Sequence, residues 1–449
     1  MRYIPNTEEQ KKEMLKEIGV SSFEDLIQCI PSQLRLNRKL HLPEPLAENE
    51  LKEMIYRIAG ENMDFSLSKA LVGAGAYQHH VPEAEKALLQ REEFYTAYTP
   101  YQPELSQGTL QSMFELQTYL ARLTKMDVVI PSMYDGASAT GEAALMSLRL
   151  THRNKIMISS SLHPHYRDTV RTYTAPHETE ILDLPHDNGL VDLHKLKAAI
   201  DEEVAAVIVQ NPNFFGGIEK VADISELVHS AGALLIHVIA ESMSLGVLQA
   251  PGELGADIVP GEAQSLGLDL NFGGPYNGYL AARKQLLRQL PGRIAGETVD
   301  KEGQRVFVMT LRTREQDIRR EKATSNICTN HGLNIVASNI YLSLLGTEGF
   351  HKVSLLNTKA AHYLENLLIQ SGNFETVFQY PFYNEFLLRS KMNISDVKEM
   401  LIENGFIPPL EISRFYRDKI YENVLLFAVT EIFSREDLDK IADLLSVGC

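Results

Sequence analysis

Apolar positions change their spacing along this chain, and each change marks a different kind of structure. Over residues 8–18 and 48–59 they recur at helical spacing among lysines and glutamates. Thr7 stands where the first of these helices needs a cap, and Gly19 can close it. A short helix over 22–29 stops ahead of Pro31, and the proline-rich stretch 41–45 reads as a turn or linker. Residues 1–70 therefore read as a helical N-terminal arm rather than a core domain.

From about residue 105 to 284 short β-rich runs alternate with helical stretches. Strands are expected at 127–131, 155–159, 180–184, 206–210 and 233–238, and helices at 105–123, 141–150, 167–173, 192–201 and 223–230. Repeated strand–helix–strand units call for a mostly parallel sheet covered by helices. That places a large α/β domain at 71–330. Beyond it, long helices at 333–345 and 352–370 link to a strand at 385–389, a helix at 394–404, a strand at 425–430 and a helix at 435–445. Residues 331–449 thus read as linking helices and a small C-terminal α+β domain with antiparallel strands. No internal repeat or low-complexity tract interrupts this plan.

Composition narrows the class. With 449 residues, 44% hydrophobic and 23% charged, the chain reads as water-soluble and globular. Its net charge of −16 argues against a nucleic-acid partner, since phosphate contacts need an excess of Lys and Arg. The three cysteines, Cys29, Cys328 and Cys449, are widely spaced and form no CxxC pair, so neither a disulfide framework nor a thiolate metal site is indicated. The N-terminus lacks the apolar stretch of a signal peptide, and no apolar run approaches the roughly 18 residues that span a bilayer. The expected setting is cytoplasmic, with no membrane partner.

Candidate chemistry concentrates in a few segments. EFYTAYTPYQPELSQG, 93–108, carries three tyrosines on a run with neither helical nor strand period. Aromatic hydroxyls on irregular backbone more often line a site than fill a core. Downstream, Arg312, Arg314, Arg319, Arg320 and Lys322 cluster in an acidic chain, which suits a small anion or an acidic partner but also a solvated, salt-bridged helix face. YDGASATGEAALMSL, 134–148, follows a strand and opens a helix; Gly136, Ser138 and Thr140 give it either a phosphate-binding helix start or an ordinary capped one. The pair Gly73 and Gly75 lacks the third glycine of a dinucleotide fingerprint and reads as a loop. The histidines at 79, 80, 163, 165, 177 and 186 show no metal-ligand spacing, so no metal site is expected. His163, just past a strand, could stack on a planar ligand at the carboxyl edge of the sheet. No lysine occurs from 221 to 283, so no amine there can form an imine.

Eight segments in order, GAGAYQHHVP, EFYTAYTPYQPELSQG, YDGASATGEAA, VQNPNFFG, GADIVPGEAQSLG, FGGPYNGY, PGRIAGETVD and RREKATSNICTN, closely resemble the P-protein family of the glycine cleavage system, in its two-subunit form and on the subunit 1 (α) side. The resemblance implies fold type I of the pyridoxal phosphate enzymes. It also implies a complex in which glycine loses CO2 on pyridoxal phosphate and the aminomethyl group passes to the lipoyl arm of H-protein. By resemblance, Gln264 and Ser265 stand where the other half carries its cofactor lysine and a threonine, and Glu241 falls near the aspartate that pairs with the pyridine nitrogen. An amide cannot form the imine. The implied role is then an α2β2 subunit, inactive alone, whose own vestigial pocket, with Gly136, Ser138, His163, Glu241 and Gln264, is empty. It would complete the active site of subunit 2, which holds the cofactor, and shape the channel for the lipoyl arm. Tyr95, Tyr98, Thr99, Tyr101 and Gln102 are the candidates for those duties, with Arg319, Arg320, Lys322 and Ser325 near phosphate or the acidic H-protein. Two alternatives stay open: a purely architectural subunit, or a free-standing pyridoxal phosphate enzyme using another lysine such as Lys284 or Lys322. The wording at 240–242 and 260–263 departs from the family's usual pattern.

Overall fold

The computed structural model describes residues 5–62, 68–271, 273–310, 325, 327 and 331–446. Contacts divide the chain into two units, Met1–Met63 and Asp64–Cys449. In the first, Thr7 and Gln10 form a reciprocal capping box on the helix Glu8–Ile18, and Gly19 closes it in the left-handed conformation. Its other α-helices are Phe23–Leu26 and Glu48–Ala59, and none of the three buries a residue.

The second unit is built on seven strands: β1 (Val128–Met133), β2 (Lys155–Ser159), β3 (Glu180–Leu184), β4 (Val204–Gln210), β5 (Leu234–Val238), β6 (Ile258–Glu262) and β7 (Gly278–Ala282). Their order across the sheet is β1-β7-β6-β5-β4-β2-β3. Neighbours from β6 to β3 pair in parallel, and β7 lies antiparallel between β1 and β6. Helices cover both faces, so the central strands are buried on both sides; all seven residues of β4 are buried. One face packs Ile156, Ile208 and Ile236 beneath the helices Gly136–Thr151 and Pro164–Thr174. On the other, Val259 and Tyr279 meet the helix Gln107–Thr124, and Val207 and Leu235 meet Val221–Ser230.

A second core forms around the antiparallel strands 374–376, 385–390, 424–428 and 410–411, with Leu388, Phe386 and Phe427 against the helices Ile394–Glu403 and Arg435–Ser446. The small α+β body is as the sequence predicts, but it also recruits residues from far upstream. Lys69 and Ala70 pair in parallel with Phe406 and Ile407, and Leu71 sits in its core. The two linking helices are one run, Gly332–Gln370, broken at Gly346 (φ 59, ψ −177), where a residue without a side chain admits the left-handed turn. Several helices start earlier than periodicity suggests; Gly136–Thr151 begins five residues before the expected 141 because Asp135, not the first apolar run, caps it. A hairpin of Ile294–Val299 with Arg305–Thr310 has no counterpart among the elements that the apolar pattern predicts. Among the described residues, no helix is long and apolar enough to cross a membrane.

Candidate functional site

Most of the candidate chemistry meets at one edge of the large sheet. Register places Gly278 beside both Met133 and Glu262, so the loops after β1, β2, β4, β5 and β6 share the carboxyl edge, the side where open α/β sheets bind ligands. Gly136, Ser138, His163, Glu241 and Gln264 are brought together there, all of them buried.

They do not frame an empty pocket. The helix start is already closed by the chain's own carboxylates: Gly136 N–H donates to Glu262 Oε2 (2.9 Å), and Ser138 N–H to Asp135 Oδ1 (2.6 Å). A Cβ on Gly136 would lie 2.3 Å from the Tyr166 hydroxyl and 3.1 Å from Glu262 Cβ, so the space above it is filled. The helix is capped by Asp135 rather than by Ser138 or Thr140, and the Gly136 and Ser138 N–H groups are both taken. Glu262 also accepts from the N–H groups of Gln264 (3.0 Å) and Asn277 (3.3 Å). Burial pushes its carboxyl up to about 7 while the Gly136 N–H pulls it down.

Gln264 is spent as completely. Its Nε2 donates to the carbonyls of Tyr77 (2.9 Å) and Leu268 (2.7 Å), and its Oε1 accepts from Tyr77 N–H (2.8 Å). His163 is held in place: its Nε2 lies 2.8 Å from the Ala74 carbonyl, His165 N–H donates to its Nδ1 (3.1 Å), and the Phe214 ring meets it edge-to-face with centroids 4.9 Å apart. That arrangement fixes a neutral ring, and burial holds its pKa down at about 4. Gln264 and His163 thus each bond the backbone of residues 73–80, the glycine-containing loop, which runs across the site as a strap. Tyr77 anchors it further, its hydroxyl donating to Glu385 Oε2 (2.8 Å) in the small α+β body.

Glu241 lies at the end of β5, its Oε1 accepting from Met243 N–H (2.8 Å). Its other oxygen faces His79 Nε2 at 3.2 Å, and His79 Nδ1 faces Glu431 at 2.8 Å. Burial would lower the His79 pKa, but Glu431 and Glu241 outweigh it and hold the imidazole at about 10, a buried cation between two carboxylates. Glu431 is held below the usual range in return: burial raises it and His79 lowers it more. Glu262, His79, Tyr77 and Glu431 are not among the residues the sequence singles out for this site. A signal exists only for Glu262, a carboxylate inside a strand of otherwise apolar residues; His79 lies 162 and 352 residues from its partners.

The other candidates fall elsewhere. Tyr95 and Tyr98 are 66% and 71% exposed, and Gln102 is exposed too. Thr99 is buried; Tyr101 is half-buried against Arg293, whose Nη1 donates to its hydroxyl (3.1 Å) with the guanidinium 4.9 Å from the ring centre. Ser325 donates to Glu142 Oε1 (2.8 Å). Arg312, Arg314, Arg319, Arg320 and Lys322 lie outside the described residues. Lys284 is exposed two residues beyond Ala282, which pairs with Ile258, so it sits at the opposite edge of the sheet from Glu262. Among the described residues, no group of three or more His, Cys, Asp or Glu could hold a metal ion.

The same architecture recurs in solved structures of low sequence similarity, among them a sphingosine-1-phosphate lyase of Burkholderia pseudomallei (15% identical, TM-score 0.67, 92% of each chain) and a Lactobacillus brevis glutamate decarboxylase (12%, 0.67, 92% of this chain and 95% of that one). Strand order, edge and helix start define a protein of fold type I, the fold of pyridoxal phosphate enzymes. The glycine cleavage system P-protein family model matches residues 1–445, and the chain belongs to that family. Relatives from Desulfitobacterium hafniense (47% identical over 441 residues) and Moorella thermoacetica (46% over 441), each covered to 98% on both sides, carry the name "Probable glycine dehydrogenase (decarboxylating) subunit 1". A crystal structure of the glycine decarboxylase (P-protein) of the glycine cleavage system, in inhibitor-bound form, superposes with a TM-score of 0.89 at 44% identity over 99% of both chains.

The residues at this edge do not fit pyridoxal phosphate. Gln264 is an amide and cannot form an imine, the Gly136 N–H at the helix start is taken by Glu262, and Glu241 already faces the His79 ring.

Proposed function

We propose that this chain is the subunit of a glycine dehydrogenase (decarboxylating) that does not anchor the cofactor, and that it serves the active site of a second subunit. The observation that carries this reading is Gln264: at the position expected of the anchoring lysine stands an amide that makes two hydrogen bonds to Tyr77 of the chain's own strap and a third to the Leu268 carbonyl. The relatives' shared designation as subunit 1 supports a subunit 2 as partner. In this proposal the two form an α2β2 complex that hands the aminomethyl group of glycine to lipoylated H-protein. Pyridoxal phosphate on subunit 2 supplies the electron sink for loss of CO2. The part of this chain is positional. Tyr95 and Tyr98 stand exposed on a short helix and the turn after it, and Arg293 holds Tyr101 a few residues on; these groups are suited to orient substrate or to line the lipoyl channel from across the interface.

The test is co-expression with a candidate subunit 2, co-purification, and assay of carboxyl exchange between glycine and bicarbonate. Tyr95→Phe with Tyr98→Phe is expected to lower exchange while the subunits remain together. Unchanged exchange would favour the architectural subunit. The isolated chain mixed with pyridoxal phosphate is expected to show no imine absorbance; imine absorbance with decarboxylation of glycine by the chain alone would overturn the reading.

A further inference from the structure

A cofactor site of this fold, deprived of its cofactor, has three unmet needs. Backbone N–H groups at the helix start lack an anion, the carboxylate at the end of β5 lacks a cation, and the strand end at 264 lacks the group that would tie it to a ligand. Burying any of these without a partner is costly. In this chain each need has an occupant, two of them charged and one a neutral amide.

At the helix start the occupant is Glu262. Its Oε2 takes the Gly136 N–H, its Oε1 takes those of Gln264 and Asn277, and the residue is 3% exposed. Beside Glu241 the occupant is the His79 ring, whose side chain is 1% exposed and whose second nitrogen faces Glu431. At 264 the amide reaches the backbone of Tyr77 on one side and Leu268 on the other. The strap is held from several walls: Ala74 offers its carbonyl to His163 and its N–H to Glu385 Oε1 (2.7 Å), and Thr430 Oγ1 donates to the Gln78 carbonyl (2.6 Å).

We propose that Glu262 and His79 are built-in surrogates for a cofactor's phosphate and ring nitrogen, and Gln264 for the lysine that would anchor it, so that the site is a closed, self-liganded core that clasps residues 73–80. The proposal rests on the reading of this chain as the non-anchoring subunit. It goes further in stating that the missing lysine is one of three independent barriers, and that each of the two charged barriers is a discrete ion site which a small molecule of the right charge can refill.

Chemical rescue on the isolated full chain tests it. His79→Gly opens a cation place between Glu241 and Glu431, and imidazole is expected to raise the melting temperature of that variant by about 3 °C while leaving the unsubstituted chain unmoved. Glu262→Gly opens an anion place at the Gly136 N–H, and acetate or inorganic phosphate is expected to do the same there, while imidazole does not. Glu262→Gln, which keeps an acceptor and loses the charge, serves as the folded control and gains nothing from either anion. Imidazole or anion acting equally on variant and unsubstituted chain, or on neither while the variants melt cooperatively below it, overturns the proposal.

A second arm addresses the cofactor itself. Borohydride reduction in the presence of pyridoxal phosphate, read by mass spectrometry, is expected to leave Gln264→Lys unlabelled at 264 and to label the triple variant with His79→Gly and Glu262→Gly. Equal labelling of the two, or labelling of neither in chains that fold, sinks it. Labelling of the unsubstituted chain on any lysine with glycine turnover would instead sink the reading of function on which this rests.

Discussion

Two regions of this molecule carry side chains of the kind that do chemistry, and they are used in opposite ways. At the carboxyl edge of the large sheet, carboxylates, imidazoles and an amide are buried, and each named group bonds another part of the same chain. In the segment around 92–105, Tyr95 and Tyr98 stand more than half exposed. Polar side chains are structural in one place and available in the other. What separates the two is whether the neighbours that would satisfy a buried polar group lie within this chain.

The sharpest way to break that contrast is to remove a partner from the buried side. His79→Ala leaves Glu241 and Glu431 facing each other without a cation and is expected to cost about 3–5 kcal/mol of stability, read by denaturant unfolding. The pH dependence follows from the same pair. His79 is held at about 10, above its ordinary value of 6.5, so the stability it contributes is complete below pH 6.5 and is lost as pH rises towards 10. The unsubstituted chain should therefore weaken over that window, and His79→Ala should weaken less; parallel curves would remove the imidazolium from the account.

Gly136→Ala comes next. The added carbon would press on the Tyr166 hydroxyl and on Glu262, and a loss of about 1–3 kcal/mol is expected by thermal unfolding. Glu262→Gln turns an acceptor at one of three N–H groups into a donor, at about 1–3 kcal/mol by the same measurement. The smallest effect on stability belongs to the exposed side. Tyr95→Phe with Tyr98→Phe should stay within about 0.5 kcal/mol of the unsubstituted chain while carboxyl exchange in the assembled complex falls by about tenfold. A pair that unfolds the chain, or that leaves exchange intact, would erase the distinction between the two regions.

Much of the scaffold is legible in the residues alone. The alternating strands and helices from 105 to 284 announce a parallel sheet because strands buried on both faces must be apolar throughout, as β4 nearly is. The absent lysine and the amide at 264 are equally plain. The exposure of Tyr95 and Tyr98 agrees with the lack of any period in their segment. Less legible are the early start of the helix at 136, set by Asp135, and the hairpin over 294–310, whose runs are short and half exposed.

Local pattern determines the order of elements, the parallel sheet, the side of it where loops converge, and the missing amine, since each depends on spacing within a few residues or on a single side chain. Only the tertiary structure decides that the site is closed. Its clasp joins His79 to Glu241 and Glu431, Tyr77 to Gln264 and Glu385, and Gly136 to Glu262, across gaps of 126 to 352 residues. No periodicity encodes such contacts; they arise because burying a charge is tolerable only when folding delivers its counterpart from elsewhere in the chain.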